Sequence, residues 1–460
     1  MKIKLLFLLI TLISLFGCSK HFKESRPNII FLLADDHRWD ALGCMGNPII
    51  QTPNIDQIAV KGIIFENAYV TTSICAASRA SILAGKYASK TGIHDFSTEF
   101  SSAALAETYP FKLKNAGYFT GFIGKFGVGN QPPDSIFDYW NAMTGQPRYE
   151  NYDEQGNMKH FTRIVAENIM EFLSRCSSDQ PFCLSVSFKA PHVQDGDPRQ
   201  FIYDTIYSEL YKDDEIPLPA TAGDEYYNIF PDEFKNNNEA RIRWQLRFPD
   251  SVKHKESVRG YYRLVTGIDV VVGELLEELE KLGFHENTII MYSGDNGFYL
   301  GEHGMAGKWY GHEESIRVPL IIYDPGLKDH HSGTRVKEIA LNIDIAPTIL
   351  GFCNEDIPES MQGINLMDII EGKKSTTRKD FLYEHLIDIP RENAYIPRSE
   401  GVVSLDYKYL RYIDFDPVFE EIYDLKSDPL EVVNLASDPQ YQRLVDSMRN
   451  RYNELKEMYQ

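Results

Sequence analysis

Apolar runs long enough to cross a bilayer are missing from this chain of 460 residues; the N-terminal one, Leu5 to Phe16, covers only 12. A multi-span membrane protein is therefore excluded. Basic residues are scarce beside acidic ones, 47 Lys plus Arg against 67 Asp plus Glu, for a formal net charge of −20. Such a surface repels nucleic acid phosphate, so no nucleic-acid partner is expected. An anionic substrate would need a local basic pocket that overrides the bulk field. Cysteine is sparse, six in all. Internal repeats and low-complexity tracts do not stand out. What remains is ordinary globular composition, 43% hydrophobic and 25% charged, which excludes collagen and long disorder. The length suits one large α/β domain and a smaller one.

Met1 to Lys4 is basic and precedes the short apolar run, a signal-peptide pattern. The run ends at Leu15-Phe16-Gly17-Cys18, which resembles a bacterial lipobox. Residues 1–17 are then removed and Cys18 is lipidated, so the membrane is reached by the lipid anchor alone. Ser19 suggests sorting to the outer membrane. The expected compartment is the cell envelope, periplasm or outer membrane. A plainly cleaved signal is the second reading. Cys176 and Cys183 lie close enough to pair in that compartment or to remain two free thiols.

Short apolar runs recur, each followed by polar residues: Asn28 to Ala34 before Asp35-Asp36, Phe119 to Ile123 before Gly124-Lys125, Phe182 to Phe188 before Lys189 to His192, and Thr288 to Ser293 before Gly294 to Asn296. Pro319 to Tyr323 is a fifth. Helical patterns lie between them at Asn54–Val60, Ser78–Tyr87, Phe161–Ser174 and Val258–Leu282. The alternation predicts an α/β fold, a mostly parallel central sheet with helices on both faces. Ligands bind such sheets beyond the carboxyl ends of the strands, where these polar residues converge. Residues 194–256 show no strand pattern and read as an insertion at the rim. From Asp380 the pattern changes to antiparallel strands at Gly401–Tyr412 and Phe419–Leu425 and a terminal helix at Gln440–Met458. The expected division is a catalytic domain over 26–379 and a small C-terminal α+β subdomain with an antiparallel sheet over 380–460.

Asp35, Asp36, Asp295 and Asn296 offer four hard oxygen ligands, a set that suits Ca²⁺ or Mg²⁺ rather than zinc. Either pair taken alone also reads as a turn or helix cap. Cys75 opens a helix, where free N–H groups bind anions and lower a thiol pKa. A bare thiol nucleophile and a buried structural cysteine are both open readings. The Cys-x5-Arg loop of thiol phosphatases does not fit, because Arg79 follows four residues after Cys75 and position 81 is Ser.

The segment Cys75 to Gly92 (CAASRASILAGKYASKTG) closely resembles the signature of formylglycine-dependent sulfatases. Resemblance continues at Asn28 to Asp36, Gln51 to Asp56, Gly124-Lys125, Ala190-Pro191-His192, Ser293 to Gly297, Gly307-Lys308-Trp309, and Ile422 through Leu435. It spans most of the mature chain and implies an alkaline-phosphatase-like type I sulfatase. It further implies that a formylglycine-generating or sulfatase-maturing enzyme oxidises Cys75 to formylglycine (3-oxoalanine). The hydrated aldehyde then attacks sulfur. Asp35, Asp36, Asp295, Asn296 and residue 75 hold the cation. Arg79, Lys125 and Lys308 offset the sulfate charge, and His192 protonates the leaving alcohol. Two positions depart from the family: Ala77 replaces a proline, and Gly127 replaces the histidine that normally assists the formylglycine hydroxyl.

By position, His37, Arg38, Glu302, His303 and His312 read either as substrate-binding residues or as solvated loop residues. Tyr139, Trp140, Tyr149 and Tyr152 read first as core, with a sugar-stacking platform as the second reading. The expected activity is hydrolysis of sulfate esters on a sulfated carbohydrate. A phosphoester hydrolase on the same scaffold is the alternative, although the extra His and Asp ligands of a two-zinc site are not found at the strand ends. An inactive glycan-binding surface lipoprotein is the third reading.

Overall fold

A computed structural model describes residues 26–327, 331–373, 378–388 and 394–460. The leader, Cys18 and its lipidation lie outside the described residues. One eight-stranded sheet organises the chain. Its strands are β1 (Asn28–Asp35), β2 (Ile63–Tyr69), β3 (Phe119–Lys125), β4 (Tyr139–Met143), β5 (Phe182–Pro191), β6 (Thr288–Gly294), β7 (Leu320–Tyr323) and β8 (Thr334–Leu341). They lie in the order β8-β2-β7-β6-β1-β5-β3-β4. Only β7 runs against its neighbours; every other pairing is parallel.

The main helices are α1 (Pro53–Lys61), α2 (Cys75–Ala84), α3 (Tyr109–Asn115), α4 (Phe161–Ser174), α5 (Ser251–Leu282), α6 (Ile345–Phe352) and α7 (Gln442–Tyr459). Successive side chains of a strand point to opposite faces. In β1, Ile29, Phe31 and Leu33 join one core with α2, α3 and α6, while Ile30, Leu32 and Ala34 join the other with α1, α4 and α5. That two-sided burial explains why the central strands read as unbroken apolar runs.

β9 (Asp380–His385), β10 (Ser399–Ser404), β11 (Tyr407–Tyr412) and β12 (Phe419–Asp424) form an antiparallel four-stranded sheet, with α7 packed against β9 and β10. This sheet shares a core with the α2 face. Tyr383 Oη donates to the Trp309 carbonyl at 2.5 Å, and Lys408 pairs with Glu313 at 2.9 Å and Glu431 at 2.7 Å. The small sheet thereby clamps the 301–317 segment.

No described helix is long and apolar enough to cross a membrane. Cys176 and Cys183 are both free thiols, the latter buried on β5. Residues 194–256 contain no strand, as expected, but they do contain helices at 224–228, 232–235 and 239–247. α5 begins at Ser251, capped by Asp250, whose side chain accepts from the N–H groups of Val252 and Lys253.

Candidate active site

β1 and β6 are adjacent, parallel and in register, Ala34 opposite Gly294. Their polar exits therefore abut. Asp36 takes a left-handed φ of 65°, and its N–H donates to Asp295 Oδ1 at 3.0 Å. Gly294 is required by that crossing, since a Cβ would lie 2.6 Å from the His37 carbonyl oxygen. β3 ends on Lys125, β5 hands over to His192, and α2 opens on Cys75. All of these side chains are buried.

The cations interlock with the carboxylates. Arg79 Nε donates to Asp295 Oδ2 at 2.8 Å, and its Nη1 reaches both the Lys125 carbonyl at 2.5 Å and Ser187 Oγ. Lys125 Nζ lies 2.5 Å from Asp35 Oδ2. Lys308 Nζ pairs with Asp36 Oδ1 and lies 3.5 Å from Cys75 Sγ. Asn296 Nδ2 donates to Asp36 Oδ1 at 2.6 Å. His192 Nε2 lies 3.6 Å from Asp36 Oδ2, while its Nδ1 lies 2.7 Å from the Val193 carbonyl oxygen.

Burial by itself would raise the pKa of Asp35, yet Lys125, His192, Arg79 and Lys308 together hold it well below the usual carboxylate range. Asp295 is pushed up to about 6 by burial and by the Asp35 charge. Burial drives the pKa of His192 far down; the Asp35 charge opposes this, and Lys308, Lys125 and Lys189 add to it.

The donor set fits a hard divalent cation. Asp35 Oδ1 and Asn296 Oδ1 are buried without a hydrogen-bond partner. One ligand atom each from Asp35, Cys75 and Asp295 lies within 4.8 Å of the others, as does one each from Asp35, Asp36 and His192. Unpaired buried carboxyl and amide oxygens are costly unless a cation or donor meets them.

A cavity of about 450 Å³ opens onto Cys75, Lys125, His192 and Lys308. Its remaining walls include Phe96, Gln146, Asp195, Glu239, Arg243, Trp309 and Ile396. Gly127 lines it as well, with φ of +72°; a Cβ there would meet Arg79 Cδ at 3.1 Å and Lys125 Cε at 3.3 Å. The two cations fill the space into which a side chain at 127 would begin.

Five residues expected to touch substrate do not reach this cavity. His37 is fully buried between Tyr292 Oη, 2.8 Å away, and the Ala41 carbonyl, 3.1 Å away. Arg38 pairs with Asp40 at 2.5 Å and Glu302 at 2.7 Å, lining a separate cavity of about 600 Å³. His303 and His312 are fully buried and stack on each other, ring centroids 4.8 Å apart. The C-terminal sheet covers this segment, which the polar sequence beside Lys308 did not disclose. For three of the four aromatics the core reading holds. Tyr139 and Trp140 pack in the core and Tyr149 stacks on His160, while exposed Tyr152 stands at another groove.

A mostly parallel sheet covered on both faces, with oxygen ligands, basic groups and a helix-opening cysteine at its carboxyl edge, defines an alkaline-phosphatase-like hydrolase. The sulfatase family model matches residues 27–354, and the model of the C-terminal region of N-sulphoglucosamine sulphohydrolase matches 301–458. An N-acetylglucosamine-6-O-sulfatase of Bacteroides thetaiotaomicron is 30% identical, the alignment covering 99% of this chain and 91% of that one. An arylsulfatase of Clostridium perfringens is 30% identical over 92% and 93% of the two chains. A solved protein in complex with its substrate D-glucosamine-2-N,6-O-disulfate superposes with a TM-score of 0.80 at 29% identity, covering 94% of this chain and 98% of that one. The phosphonate monoester hydrolase of Agrobacterium radiobacter shares the fold, TM-score 0.78 at 19% identity over 95% and 96%. The chain belongs to the sulfatase family, type I, and is a sulfuric ester hydrolase.

Proposed function

We propose that this enzyme removes sulfate esters from glucosamine-type sugars, using formylglycine made from Cys75 by a maturing enzyme, with Ca²⁺ held by Asp35, Asp36, Asp295, Asn296 and residue 75. The observation that carries the reading is the gathering of Cys75 Sγ, Asp35 and Asp295 within 4.8 Å, with Lys308 Nζ 3.5 Å from the sulfur. Formylglycine supplies an oxygen nucleophile, and the divalent cation supplies charge that offsets the sulfate and polarises that oxygen. Lys125 and Lys308 bind sulfate oxygens. Arg79, tied to Asp295, the Lys125 carbonyl and Ser187, holds the carboxylates in place. His192 gains a proton when the anion arrives and passes it from Nε2 to the leaving alcohol oxygen; the Val193 carbonyl fixes the ring through Nδ1. The sugar identity is supported by the relatives that act on N-acetylglucosamine 6-sulfate and glucosamine disulfate.

Two measurements test this. Peptide mass spectra of residue 75, after expression with a maturation system, should show the aldehyde and not the thiol. The same preparation should release sulfate from sulfated glucosamines far faster than phosphate from matched phosphate esters. Sulfate release by protein carrying only the thiol would overturn the mechanism. Faster phosphate release would favour the phosphoester reading, which the phosphonate hydrolase fold keeps in view.

Replacing His192 by Gln should slow sugar sulfate hydrolysis by about 10²–10⁴-fold. A nitrophenyl sulfate, whose leaving group needs no proton, should lose much less. Equal losses on both substrates would remove His192 from the acid role.

For location, we propose an envelope lipoprotein anchored through Cys18. Cys18→Ala should move the protein from the membrane fraction to the soluble one.

A further inference from the structure

The wall of the active-site cavity away from the lysines has its own charge pattern. Glu239 opens the helix 239–247, and its carboxylate accepts from Arg243 Nε at 2.5 Å. Arg243 Nη1 lies 3.4 Å from Asp195 Oδ1, and the guanidinium sits over the Trp309 ring, 5.0 Å from its centroid. All four side chains line the cavity. Arg247 also approaches Asp195 Oδ1, at 3.4 Å, but it is only 1% exposed and stands behind the lining. Among the described residues, the face seen by a bound molecule therefore carries two carboxylates and one guanidinium, which is engaged through Nε and Nη1 and lies over the indole.

We propose that Asp195, Glu239, Arg243 and Trp309 select a sugar ring bearing no anion other than the sulfate to be removed, its remaining substituents being hydroxyl, amide or ammonium. Hydroxyl and amide groups donate to the carboxylates and accept from the guanidinium, and the ring lies against the indole. A second sulfate, or a uronic carboxylate, meets two like charges here and, among the described residues of this wall, only the guanidinium those carboxylates already hold. The inference rests on the sulfated-glucosamine reading and narrows it: the disulfated sugar named for the related structure should be a poor substrate here.

The test compares kcat/KM for N-acetylglucosamine 6-sulfate and glucosamine-2-N,6-O-disulfate, using mature protein with residue 75 oxidised. The monosulfated sugar should lead by roughly tenfold or more, a gap of about 1.4 kcal/mol, and the lead should shrink as salt screens the wall. Asp195→Asn and Glu239→Gln, each with its melting curve recorded, should both lower turnover of the monosulfated sugar and narrow the ratio several-fold. Equal or inverted preference in the unmodified enzyme overturns the inference. So does a ratio that neither folded variant moves. Absence of sulfate release from both sugars, and from every other sulfated glucosamine, overturns the substrate reading and the inference with it; in that case no ratio exists to measure.

Discussion

Under the proposed mechanism Cys75→Ala abolishes sulfate release, by at least about 10⁴-fold, because alanine offers the maturing enzyme no thiol to oxidise and no formylglycine forms. The fold tolerates the change. Residue 75 sits at the first position of α2 with 1% exposure, and Ala keeps the Cβ while suiting the helix. Binding should survive catalytic loss, since Lys125, Lys308 and the Asp195–Arg243 wall are untouched. The measurement is sulfate release beside a melting curve and titration with an uncleaved sulfated sugar. Residual turnover within tenfold of the unmodified enzyme would assign the nucleophile elsewhere.

Asp35→Ala is expected to damage both activity and stability. Asp35 faces Lys125 at 2.5 Å, Arg79 at 3.8 Å and Lys308 at 4.0 Å, and all three cations are buried. Removing one partner of a buried pair leaves desolvated charge without compensation, at a cost of about 3–5 kcal/mol. Activity should fall by at least roughly 10³-fold as the proposed cation ligand disappears. The melting point should drop even in chelator-treated protein, because the lysine and arginine charges stay buried whether or not a metal ion is bound. Asp35→Asn should lose comparable activity with a smaller thermal penalty. An Asp35→Ala protein that melts with the unmodified one would contradict the charge balance described for this site.

The parts of the molecule legible in its sequence are those where a local pattern coincides with burial on both faces. β1, β3, β5 and β6 are buried along nearly their whole length, so they read as apolar runs, and the polar residues at their exits are the ones that meet at the site. β2 and β8 escaped notice because Glu66, Asn67, Lys337 and Glu338 interrupt them near the sheet edge. The first turns of α5 are polar and rim-facing, which hid its start. Arg79, Lys125 and Lys308 carry recognisable motifs, whereas Asp195, Glu239, Arg243 and Gln146 come from an irregular insertion and a loop with no spacing rule. They become neighbours only through tertiary packing. His303 and His312 erred in the opposite sense: polar residues beside a functional lysine read as rim until the second sheet is seen to roof them over.

That roof has a genetic corollary. Lys308 reaches Cys75 from a backbone that bends through left-handed conformations at Gly301, His303, Gly304, Gly307 and Trp309, and tyrosine and lysine side chains from the far end of the chain brace the bend. A premature stop codon late in the gene would leave every reacting group encoded and still yield a dead product. Loss-of-function alleles mapping there need not mark a second activity.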